Sequence, residues 1–570
     1  MKNIKHIAIL GGGPSGLFMF KRLVDSGRTD IAITIFERKN KLGPGMPYSA
    51  EGANDEHITN VSSNEIPLLA TSLADWIKSV PKDTLDKFHI DPERFNAYKV
   101  LPRLLFGQYL TAQFDLLQKQ AREKGIPYEV YYKSQVTDIT DRPDQELVVV
   151  EINGEEKFEF DQVIICTGHN WPHKHEGKVP GYFDSPYPPA KLALELNHPV
   201  AIKGSSLTAV DAIRTLSRHN GTFNKDPNGK LSYQLLEHSP DFKLILHTRN
   251  GMLPAVRFHL EDSHLSNDSL LSKEDIADHI AANHGFLSLD YIFEKDFKAP
   301  IQEKEPEFYD QIKDLSLEEF VAAMMELRER LDPFQLLHAE YVEAEKSIQR
   351  KKSVYWKEML GVLSFALNYP AKHLSAEDMQ RLQKTLTPLI SIVIAYIPQS
   401  SCEELLAMHH AGVLDLITVG DDSHVEALKE GGAVYAYTDE NNEEVSVKFK
   451  TYVDCVGQPH LNYEDFPFKS LLSNRTVSPA KLKFLSAAEG QKAMEEGKDV
   501  TRDPNMDYYL KVSGITINDN FQVVDDYGAF NERIYVMAVP YIGGYNPDYS
   551  GLDFSEAASA AIVKRLFPLS

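Results

Sequence analysis

The chain has 570 residues, of which 42% are hydrophobic and 25% charged, and its formal net charge is −23. This length predicts about two to four domains rather than a single hydrophobic core. The acidic balance argues against binding to nucleic acid or to an anionic membrane surface, because both attract cations.

The sequence also bounds the location of the protein. No apolar run approaches the roughly 20 residues that a membrane-spanning helix needs. The first residues, Met1–His6, lead directly into an apolar segment and leave no room for a signal peptide. Cys166, Cys402 and Cys455 lie far apart and form no CxxC motif, which excludes a disulfide framework, a cysteine-based zinc site and a local redox dithiol. We therefore expect a cytoplasmic protein.

A glycine-rich turn follows the first apolar strand. Residues 7–10 run into Gly-Gly-Gly-Pro-Ser-Gly at residues 11–16. In such a turn Gly11 permits the tight bend, Gly13 lets the backbone approach a pyrophosphate, and Gly16 allows close packing of helix on strand. The alternative is a glycine-rich turn that binds nothing.

The segments after this turn complete a dinucleotide-binding pattern. Leu17–Val24 has helical periodicity, and its free amides and dipole favour a diphosphate at the helix start. The next strand, residues 31–36, ends in Glu37, where a carboxylate binds ribose hydroxyls. The pattern predicts an adenine dinucleotide with these candidate contacts: Gly11, Gly13, Pro14, Ser15, Gly16, Glu37 and Arg38.

A second strand–turn–helix pattern begins near residue 198. The strand 198–203 leads into Gly204-Ser205-Ser206-Leu207-Thr208-Ala209 and a helix over Val210–Leu216. Ala209 is tolerated in the third glycine position, whereas Ser206 replaces the middle glycine, where backbone and phosphate approach most closely. A Rossmann-like unit without a nucleotide is the alternative.

The strand after this helix favours one nicotinamide nucleotide over the other. The strand Phe242–Leu246 is followed by His247-Thr248-Arg249. An Arg at this place suits the 2′-phosphate of NADPH better than an acid would, so NADPH is favoured over NADH. A solvated charge at a strand end is the alternative. The candidate contacts of this second nucleotide are Gly204, Ser205, Ser206, Leu207, Thr208 and Arg249.

Two further strands have the form of returns beside a cofactor. Residues 160–169 give a buried strand followed by Thr167-Gly168, and residues 451–458 repeat the pattern. Cys166 and Cys455, which lie in these strands, are interpreted as small packing residues.

The C-terminal part has the form in which FAD proteins end. The strand 534–539, a glycine-rich loop over 541–551 and a helix over 554–566 direct backbone amides at one cofactor. Gly551, Leu552 and Asp553 at the helix entry are candidate FAD contacts. The alternative role of Asp553 is that of an N-cap.

Residues 258–400 are predicted to form a helical insertion, either a substrate lid or a packing surface. Ser316 and Glu319 form a capping-box pattern, and Glu340–Trp356 and Met379–Tyr396 have helical periodicity. The histidines of this region show no recognised metal spacing, so no metal site is expected.

Loops near the first fingerprint offer groups for a flavin ring. The Gly/Pro-rich loop 41–49 places Met46 and Tyr48 as ring-edge candidates, with loop anchoring as the alternative. Asn60 is a polar candidate at the active face. Arg103, at a helix entry, is a candidate for a phosphate contact, with a surface ion pair as the alternative.

These motifs resemble a known family. The Gly-x-Gly-Pro-x-Gly start, Gly-Pro-Gly-Met-Pro-Tyr-Ser at 43–49, Thr167-Gly168-His169, and Arg249-Asn-Gly-Met-Leu-Pro at 249–254 are similar to the bacterial FAD/NAD(P)-binding proteins. The resemblance covers about two-thirds of the chain and extends, more distantly, to flavin-dependent N-hydroxylating monooxygenases. It implies FAD at the first fingerprint and a nicotinamide nucleotide near residues 204–208.

The predicted fold is α/β, with two Rossmann-like dinucleotide-binding domains, the second inserted in a discontinuous FAD domain, and a largely α-helical insertion. The predicted segments are an FAD domain over 1–190 and 461–570, an NAD(P)-type domain over 191–257 and 401–460, and the helical insertion over 258–400.

Three functions stay open. The first is a flavin monooxygenase that uses NADPH and O₂ to hydroxylate a small amine or another nucleophile; its catalytic residues are not assigned, since most of this chemistry belongs to the flavin. The second is an NAD(P)H-dependent reductase that passes electrons to a quinone, dye or protein. The third is a flavoprotein in which FAD is only structural.

Overall fold

The computed structural model describes residues 4–168, 171, 173–261, 270–368, 370–458, 461–546 and 551–568. The strands in chain order are β1 (Lys5–Leu10), β2 (Ile31–Glu37), β3 (Ile58–Ser62), β4 (Val100–Pro102), β5 (Tyr128–Tyr132), β6 (Val136–Arg142), β7 (Leu147–Ile152), β8 (Glu156–Phe160), β9 (Gln162–Ile165), β10 (Tyr182–Phe183), β11 (Pro199–Lys203), β12 (Gly221–Lys225), β13 (Leu231–Leu235), β14 (Lys243–Thr248), β15 (Leu414–Thr418), β16 (His424–Ala427), β17 (Ala433–Thr438), β18 (Glu444–Phe449), β19 (Thr451–Asp454), β20 (Pro479–Lys483), β21 (Val500–Arg502), β22 (Tyr508–Ile515), β23 (Gln522–Val524) and β24 (Phe530–Val536). The α-helices are α1 (Pro14–Asp25), α2 (Leu73–Ile77), α3 (Lys82–Lys87), α4 (Arg103–Glu123), α5 (Leu207–Asn220), α6 (Lys273–Ala282), α7 (Leu289–Ile292), α8 (Ala299–Lys304), α9 (Pro306–Ile312), α10 (Leu317–Glu329), α11 (Pro333–Arg350), α12 (Tyr355–Leu367), α13 (Ala376–Arg381), α14 (Thr387–Val393), α15 (Gln399–His410), α16 (Lys469–Ser473), α17 (Ala487–Glu495) and α18 (Leu552–Leu566).

The first Rossmann unit is built on a six-stranded sheet of order β23-β24-β9-β1-β2-β5. Five of its strands are parallel, and β23 pairs antiparallel with β24. Residues 7–10 of the central strand β1 are all fully buried, because β1 lies inside the sheet and contacts both the helix α1 and the strand β8 of an antiparallel sheet. The helices α1 and α18 pack against each other beside this sheet.

The second Rossmann unit has a five-stranded parallel sheet of order β10-β19-β11-β14-β15. Its central strand β11 runs into α5 and lies between β14 and β19, as β1 lies between β2 and β9. The polar stretch after α5 forms an antiparallel hairpin, β12–β13. With the first sheet, this confirms the predicted α/β class with two dinucleotide-binding units.

Each unit carries a three-stranded antiparallel sheet beside its parallel sheet. These are β6-β7-β8 in the first unit and β16-β17-β18 in the second. A third antiparallel sheet, β20-β22-β21, lies between residues 479 and 515 and packs against α17.

The insertion between α6 and α14 is helical, as predicted, and bridges the two units. Most of its buried side chains, such as Phe297 and Leu363, belong to one core with the first unit. Phe334, Leu337 and Ala344, all on α11, join the core of the second unit instead. The insertion is therefore packed into both Rossmann units.

The capping box predicted at Ser316 is confirmed, whereas one helix prediction in this region is wrong. Ser316 Oγ accepts from the Glu319 amide at 3.2 Å, and the Ser316 amide donates to the Glu319 carboxylate at 2.8 Å. The helix expected over 340–356 breaks at Lys351, whose φ of 51° ends α11 in a left-handed cap before α12 begins. The segment 379–396 is helical to Val393, with a π-helical stretch over residues 382–386.

Among the described residues, no helix combines the length and the apolar composition needed to cross a membrane.

Candidate functional site

The first glycine loop has the backbone geometry of a phosphate cradle. Gly11 has a φ of 109°, and a Cβ there would lie 2.9 Å from the carbonyl oxygen of Cys166. A Cβ on Gly16 would lie 2.0 Å from the Gly11 carbonyl oxygen, and one on Gly13 would lie 3.3 Å from the Cα of Gly45. Gly11 and Gly16 therefore need glycine, whereas a Cβ on Gly13 would make a tight contact that a small shift can relieve.

Glu37 ends β2 beside this cradle with a fixed carboxylate. It is 8% exposed, and its two oxygens accept from the amides of Gly12 and Lys39, each at 2.8 Å. The neighbouring Arg38 is exposed and pairs with Glu51. A carboxylate held in this way presents its remaining lone pairs toward the glycine loop, as ribose recognition requires.

Two helix N-termini meet at the glycine loop. Pro14 opens α1, and Ser15 in its first turn lies 3.3 Å, Oγ to Oγ, from Ser555 in the first turn of α18. The first amides of a helix have no intrahelical partner and lie at the positive end of the helix dipole, so two helix starts together favour an anion or polarised carbonyl groups between them.

The structure changes the interpretation of the entry to α18. Gly551 is the N-cap and the buried Leu552 is the first helical residue. Asp553 is not the N-cap; its Oδ1 accepts from the next amide, that of Phe554, at 2.9 Å. Residues 547–550 of the preceding glycine-rich loop lie outside the described residues.

The loop that follows Glu37 packs onto the cradle. The Gly43 amide donates to the Gly12 carbonyl at 2.7 Å. Tyr48 is partly buried, with its ring 4.8 Å from that of Phe106, and burial raises the pKa of its hydroxyl, partly offset by nearby Arg103. Met46 is partly buried in the same loop. Tyr48 is therefore positioned at least as a loop anchor.

The return strand brings Thr167 to the C-terminal loop. The Cys166 amide donates to Leu10 at 2.9 Å, and the next residue, Thr167, lies against the hydroxyl of buried Tyr541. Gly168 is exposed, and His169 lies outside the described residues. The glycine cradle, the fixed carboxylate of Glu37 and the paired helix starts together fit the dinucleotide part of FAD.

The second glycine loop repeats the first in its main-chain bonds. Gly204 has a φ of 99°, and a Cβ there would lie 3.0 Å from the carbonyl oxygen of Cys455. The Gly204 amide donates to His247 at 2.9 Å, as the Gly11 amide does to Phe36. The turn is therefore able to direct the start of α5 at a phosphate.

The side chains of the second loop differ from those of the first. Ser205 Oγ donates to the Met252 carbonyl at 2.6 Å. Ser206 is exposed at the N-cap of α5, and Leu207 and Thr208 are partly buried in its first turn. Arg249 is 75% exposed and 3.6 Å from Asp421, so its guanidinium is accessible to a 2′-phosphate. These residues fit NADPH, with the Ser206 side chain at the loop surface.

Arg103 and Asn60 lie where the two units meet. Arg103 donates through Nε to the Ile58 carbonyl at 3.2 Å and pairs with buried Asp211 of α5. The structure thus gives its guanidinium protein partners in place of the expected phosphate or surface partner. The main-chain carbonyl of Asn60 accepts from the guanidinium of Arg257, so β3 is held from the side of the second unit.

The sequence alone did not single out this polar interface. It contains a second buried ion pair, Glu65–Arg257, and the fully buried His57, which contacts α5. A signal was present: Arg257 stands alone in an otherwise apolar run, and Asp211 interrupts the apolar face of α5. Charged residues at such positions are almost never fully buried unless they are paired.

The described cysteines have the environment of packing residues. Cys166, Cys402 and Cys455 are all free and buried. Burial raises the pKa of each thiol, so that none is a thiolate at neutral pH.

The helical insertion carries a separate cavity. It has a volume of about 690 Å³ and lies between α11 and α12, with Lys346, Arg350 and Trp356 among its lining residues. All of its lining residues belong to the insertion, so it is not part of either glycine loop.

Comparison with known proteins gives matches in two parts of the chain. Residues 8–170 match the family described as FAD-NAD(P)-binding, and residues 272–394 match the family described as the YdhS-like middle domain. The Escherichia coli (strain K12) protein YdhS, described as uncharacterised, is 29% identical over 475 residues, which cover 82% of this chain and 86% of YdhS.

The chain is also similar, over a shorter stretch or at lower identity, to monooxygenases. Dimethylaniline monooxygenase (N-oxide-forming) 4 of Homo sapiens is 29% identical over 171 residues, which cover 29% of this chain and 26% of that protein. The solved structure of DfoA, a cadaverine monooxygenase of Erwinia amylovora bound to FAD, aligns with a TM-score of 0.48 and 11% identity over 99% of this chain and 94% of that one.

These matches confirm the resemblance seen in the sequence motifs and the predicted cofactors, FAD and NAD(P)H. With the geometry of the two glycine loops, they indicate an FAD/NAD(P)-binding oxidoreductase that is similar over part of its length to flavin-dependent monooxygenases and over residues 272–394 to the YdhS-like middle domain.

Proposed function

We propose that the protein is a flavin monooxygenase that consumes NADPH and O₂ and hydroxylates a small amine or a similar nucleophile. FAD, when bound, supplies the redox chemistry: it accepts a hydride from NADPH and reacts with O₂ in its reduced state. The protein then has to bind both nucleotides, align them and exclude water.

The observation that carries the proposal is the intact main chain of the second glycine loop. Gly204 has a left-handed φ and donates its amide to the end of β14. Gly11 has the same backbone conformation in the first unit and donates its amide to the end of β2. A protein that used FAD only as a structural element would not need this geometry twice. We therefore assign NADPH to the second loop, with Arg249 at the 2′-phosphate.

The environment of the cysteines favours oxygen over a disulfide as the final acceptor. A disulfide reductase relays electrons through a reactive thiol pair near the flavin. The described cysteines are buried, protonated and distant in sequence, so they do not provide such a relay.

The similarity to an N-oxide-forming dimethylaniline monooxygenase supports an amine as the substrate class. In the proposal, Gly11, Gly13, Gly16, Glu37 and the start of α18 hold FAD, while Met46, Tyr48 and Asn60 are the candidate flavin-facing residues. A cytoplasmic location, a small-molecule substrate and the predicted domain limits belong to the same proposal.

The test is a two-step flavin assay on the purified yellow protein. NADPH is added without oxygen, air is then admitted, and N-hydroxylated or N-oxide products are measured over a panel of amines. We expect bleaching by NADPH, reoxidation by air and oxygenated product from at least one amine. Bleaching with fast transfer to an added quinone and no oxygenated product would favour the reductase instead. No bleaching with NADPH or NADH would contradict both and leave a structural role for FAD.

A further inference from the structure

A buried polar joint connects the two Rossmann units. On the side of the first unit stand His57 and Arg103, and on the side of the second stand Asp211 and Thr215 of α5. Tyr187, between β10 and β11 of the second unit, completes the joint by donating its hydroxyl to Asp211 Oδ2 at 2.6 Å. We propose that this joint sets the orientation of the second unit over the first and thereby positions NADPH for hydride transfer to FAD.

The Arg103–Asp211 pair is held from both sides. The Arg103 amide donates to the His57 carbonyl at 2.8 Å and its Nε donates to Ile58, which fixes the start of α4 on β3. Asp211 is 4% exposed. Burial alone would raise the pKa of its carboxyl, but the Arg103 guanidinium and, to a smaller extent, the hydrogen bond from the Tyr187 hydroxyl lower it below its usual value, so the carboxylate is charged.

His57 adds a directional bond to the joint. The Asn54 amide donates to its Nδ1 at 3.0 Å, so the ring is neutral and carries its proton on Nε2. That proton faces the Asp211 carbonyl and Thr215 Oγ1, each at 3.1 Å, and Thr215 in turn donates to Glu56 at 2.7 Å. Burial lowers the pKa of His57, despite nearby Asp211, which agrees with a neutral ring.

The fold itself does not require an acid at this place. In the first unit the position equivalent to Asp211, seven residues after the first glycine of the loop, is Phe18, which is fully buried in the core. An apolar contact between two units is tolerant of sliding, whereas a buried ion pair is favourable only in good geometry. Asp211 thus makes the contact between the two units less tolerant of sliding and gives the second unit a defined orientation.

Orientation matters because of what the units are proposed to carry. A hydride, with its two electrons, passes directly from NADPH to FAD, leaving NADP⁺ and reduced flavin, only when the reacting atoms are roughly 3–3.5 Å apart. The inference rests on the proposed function for this step. Arg103, Asp211 and His57 touch neither cofactor in this account, so they are positioning residues.

The test compares D211N with E404Q. Glu404 forms an equally buried ion pair with Arg214 at 3.0 Å, but within the second unit, between α5 and α15. Spin labels on E123C of the first unit and N228C of the second are specific, since both positions are exposed and the native cysteines are buried. We expect D211N to broaden the distance distribution between the labels, and E404Q to leave it as in the parent protein.

The kinetic readout separates positioning from general damage. In D211N we expect the rate of flavin reduction at saturating NADPH to fall about tenfold or more, with unchanged FAD content and unchanged air reoxidation of chemically reduced flavin. D211E, which restores the charge, should recover part of the rate. If D211N fails to fold, R103K serves instead, because it keeps the charge but loses the guanidinium fork.

The proposal would be overturned if D211N showed the label distances and the reduction rate of the parent protein. It would also be overturned if E404Q changed these two quantities as much as D211N does. If the parent protein is not reduced by NADPH at all, the proposed function fails, while the label distances still decide whether Asp211 fixes the orientation.

Discussion

The two Rossmann units share one scaffold and differ in the residues that a nucleotide would meet. In each, the first glycine donates to the end of the neighbouring strand at 2.9 Å, at Phe36 in one unit and at His247 in the other. In each, the carbonyl of a cysteine, Cys166 or Cys455, closes against that glycine. The main-chain requirements of the turn are therefore met twice by the same means.

The correspondence extends to the aromatic cover of each strand end. Phe36 lies 5.1 Å and 5.9 Å, ring to ring, from Phe158 and Phe160 of β8, in the first antiparallel sheet. His247 stacks on Tyr435 at 4.1 Å, with Phe449 at 5.4 Å, in the second antiparallel sheet. Each three-stranded sheet thus covers the strand end beneath its glycine loop.

The two loops differ at other positions. The middle glycine, Gly13, corresponds to Ser206, and the predicted ribose-binding acid, Glu37, corresponds to Thr248, which is followed by the exposed Arg249. We therefore expect cofactor choice to depend on these side chains, whereas the main-chain geometry at the first glycine of the turn is the same in both units. Six substitutions test the comparison of the two units.

The largest effect is expected from alanine at the first glycines. In G11A a Cβ is placed on a residue with a left-handed φ, where it clashes with the Cys166 carbonyl. We therefore expect G11A to lose FAD and to be nearly colourless. G204A should remain yellow but lose reduction by NADPH. G125A is the matched control, because Gly125 has a φ of 67° with open space around it, and it should keep both properties. Flavin absorbance and anaerobic reduction measure the outcome; yellow, reducible G11A would refute the assignment.

Removal of the Glu37 charge should weaken FAD binding by about 10- to 100-fold, corresponding to roughly 1.5–3 kcal/mol for a charged hydrogen bond. E37Q keeps the shape of the side chain but not the carboxylate that the Gly12 and Lys39 amides orient. Titration of the apoprotein with FAD measures the constant. E51Q, which removes an exposed acid of the adjacent loop, should bind FAD as the parent does.

Replacement of His247 by Phe makes the second unit resemble the first. Burial lowers the pKa of His247 from 6.5 to about 4, so between these values the unfolded state binds more protons than the folded state. Stability should therefore fall as the pH drops from 6.5 to about 4, by up to about 3 kcal/mol. H247F should remove this loss in denaturant titrations across that pH range. H238F, at an exposed site, should leave the loss in place.

Loss of the Arg249 guanidinium should reduce the preference for NADPH over NADH by about fivefold, or roughly 1 kcal/mol. R249A removes an accessible cation whose protein partner, Asp421, is itself 85% exposed. The ratio of kcat/KM values for the two nucleotides measures the effect. K243A, which breaks another exposed ion pair on the same strand, is the control, and an unchanged ratio in R249A would refute the 2′-phosphate contact.

The smallest effect is expected from a restored middle glycine. S206G removes a side chain from the place where backbone and phosphate approach, so we expect about two- to fivefold tighter NADPH binding. The loss of the Ser N-cap should cost only a few tenths of a kcal/mol. Calorimetric titration measures the constant, and unchanged affinity would mean that the phosphate does not reach this position.

The local features of the fold were predictable from the sequence, because they depend on short stretches of chain. The strand before Gly11, the hairpin after α5 and the capping box at Ser316 each depend on neighbouring residues. The break at Lys351 and the N-cap at Gly551 were not predicted. The local sequence is equally compatible with a helix that continues past Lys351 and with an N-cap at Asp553, so the choice depends on tertiary contacts.

The joint between the units lies beyond such reasoning. Arg103 and Asp211 are 108 positions apart, and their pairing depends on how α4 and α5 meet in space. The sequence offered a phosphate or a surface ion pair as the partner of Arg103, and neither is the buried carboxylate that the structure places there. The residue roles at the two glycine loops and the domain limits stay predictions, with the substitutions above as their tests.

The contact between Ser15 and Ser555 joins positions that are 540 residues apart. During translation, the glycine turn leaves the ribosome long before α18 exists. In the proposed FAD site, a flavin that met the nascent chain would find only one side of its binding surface, so we expect stable binding only after α18 has been synthesised and docked.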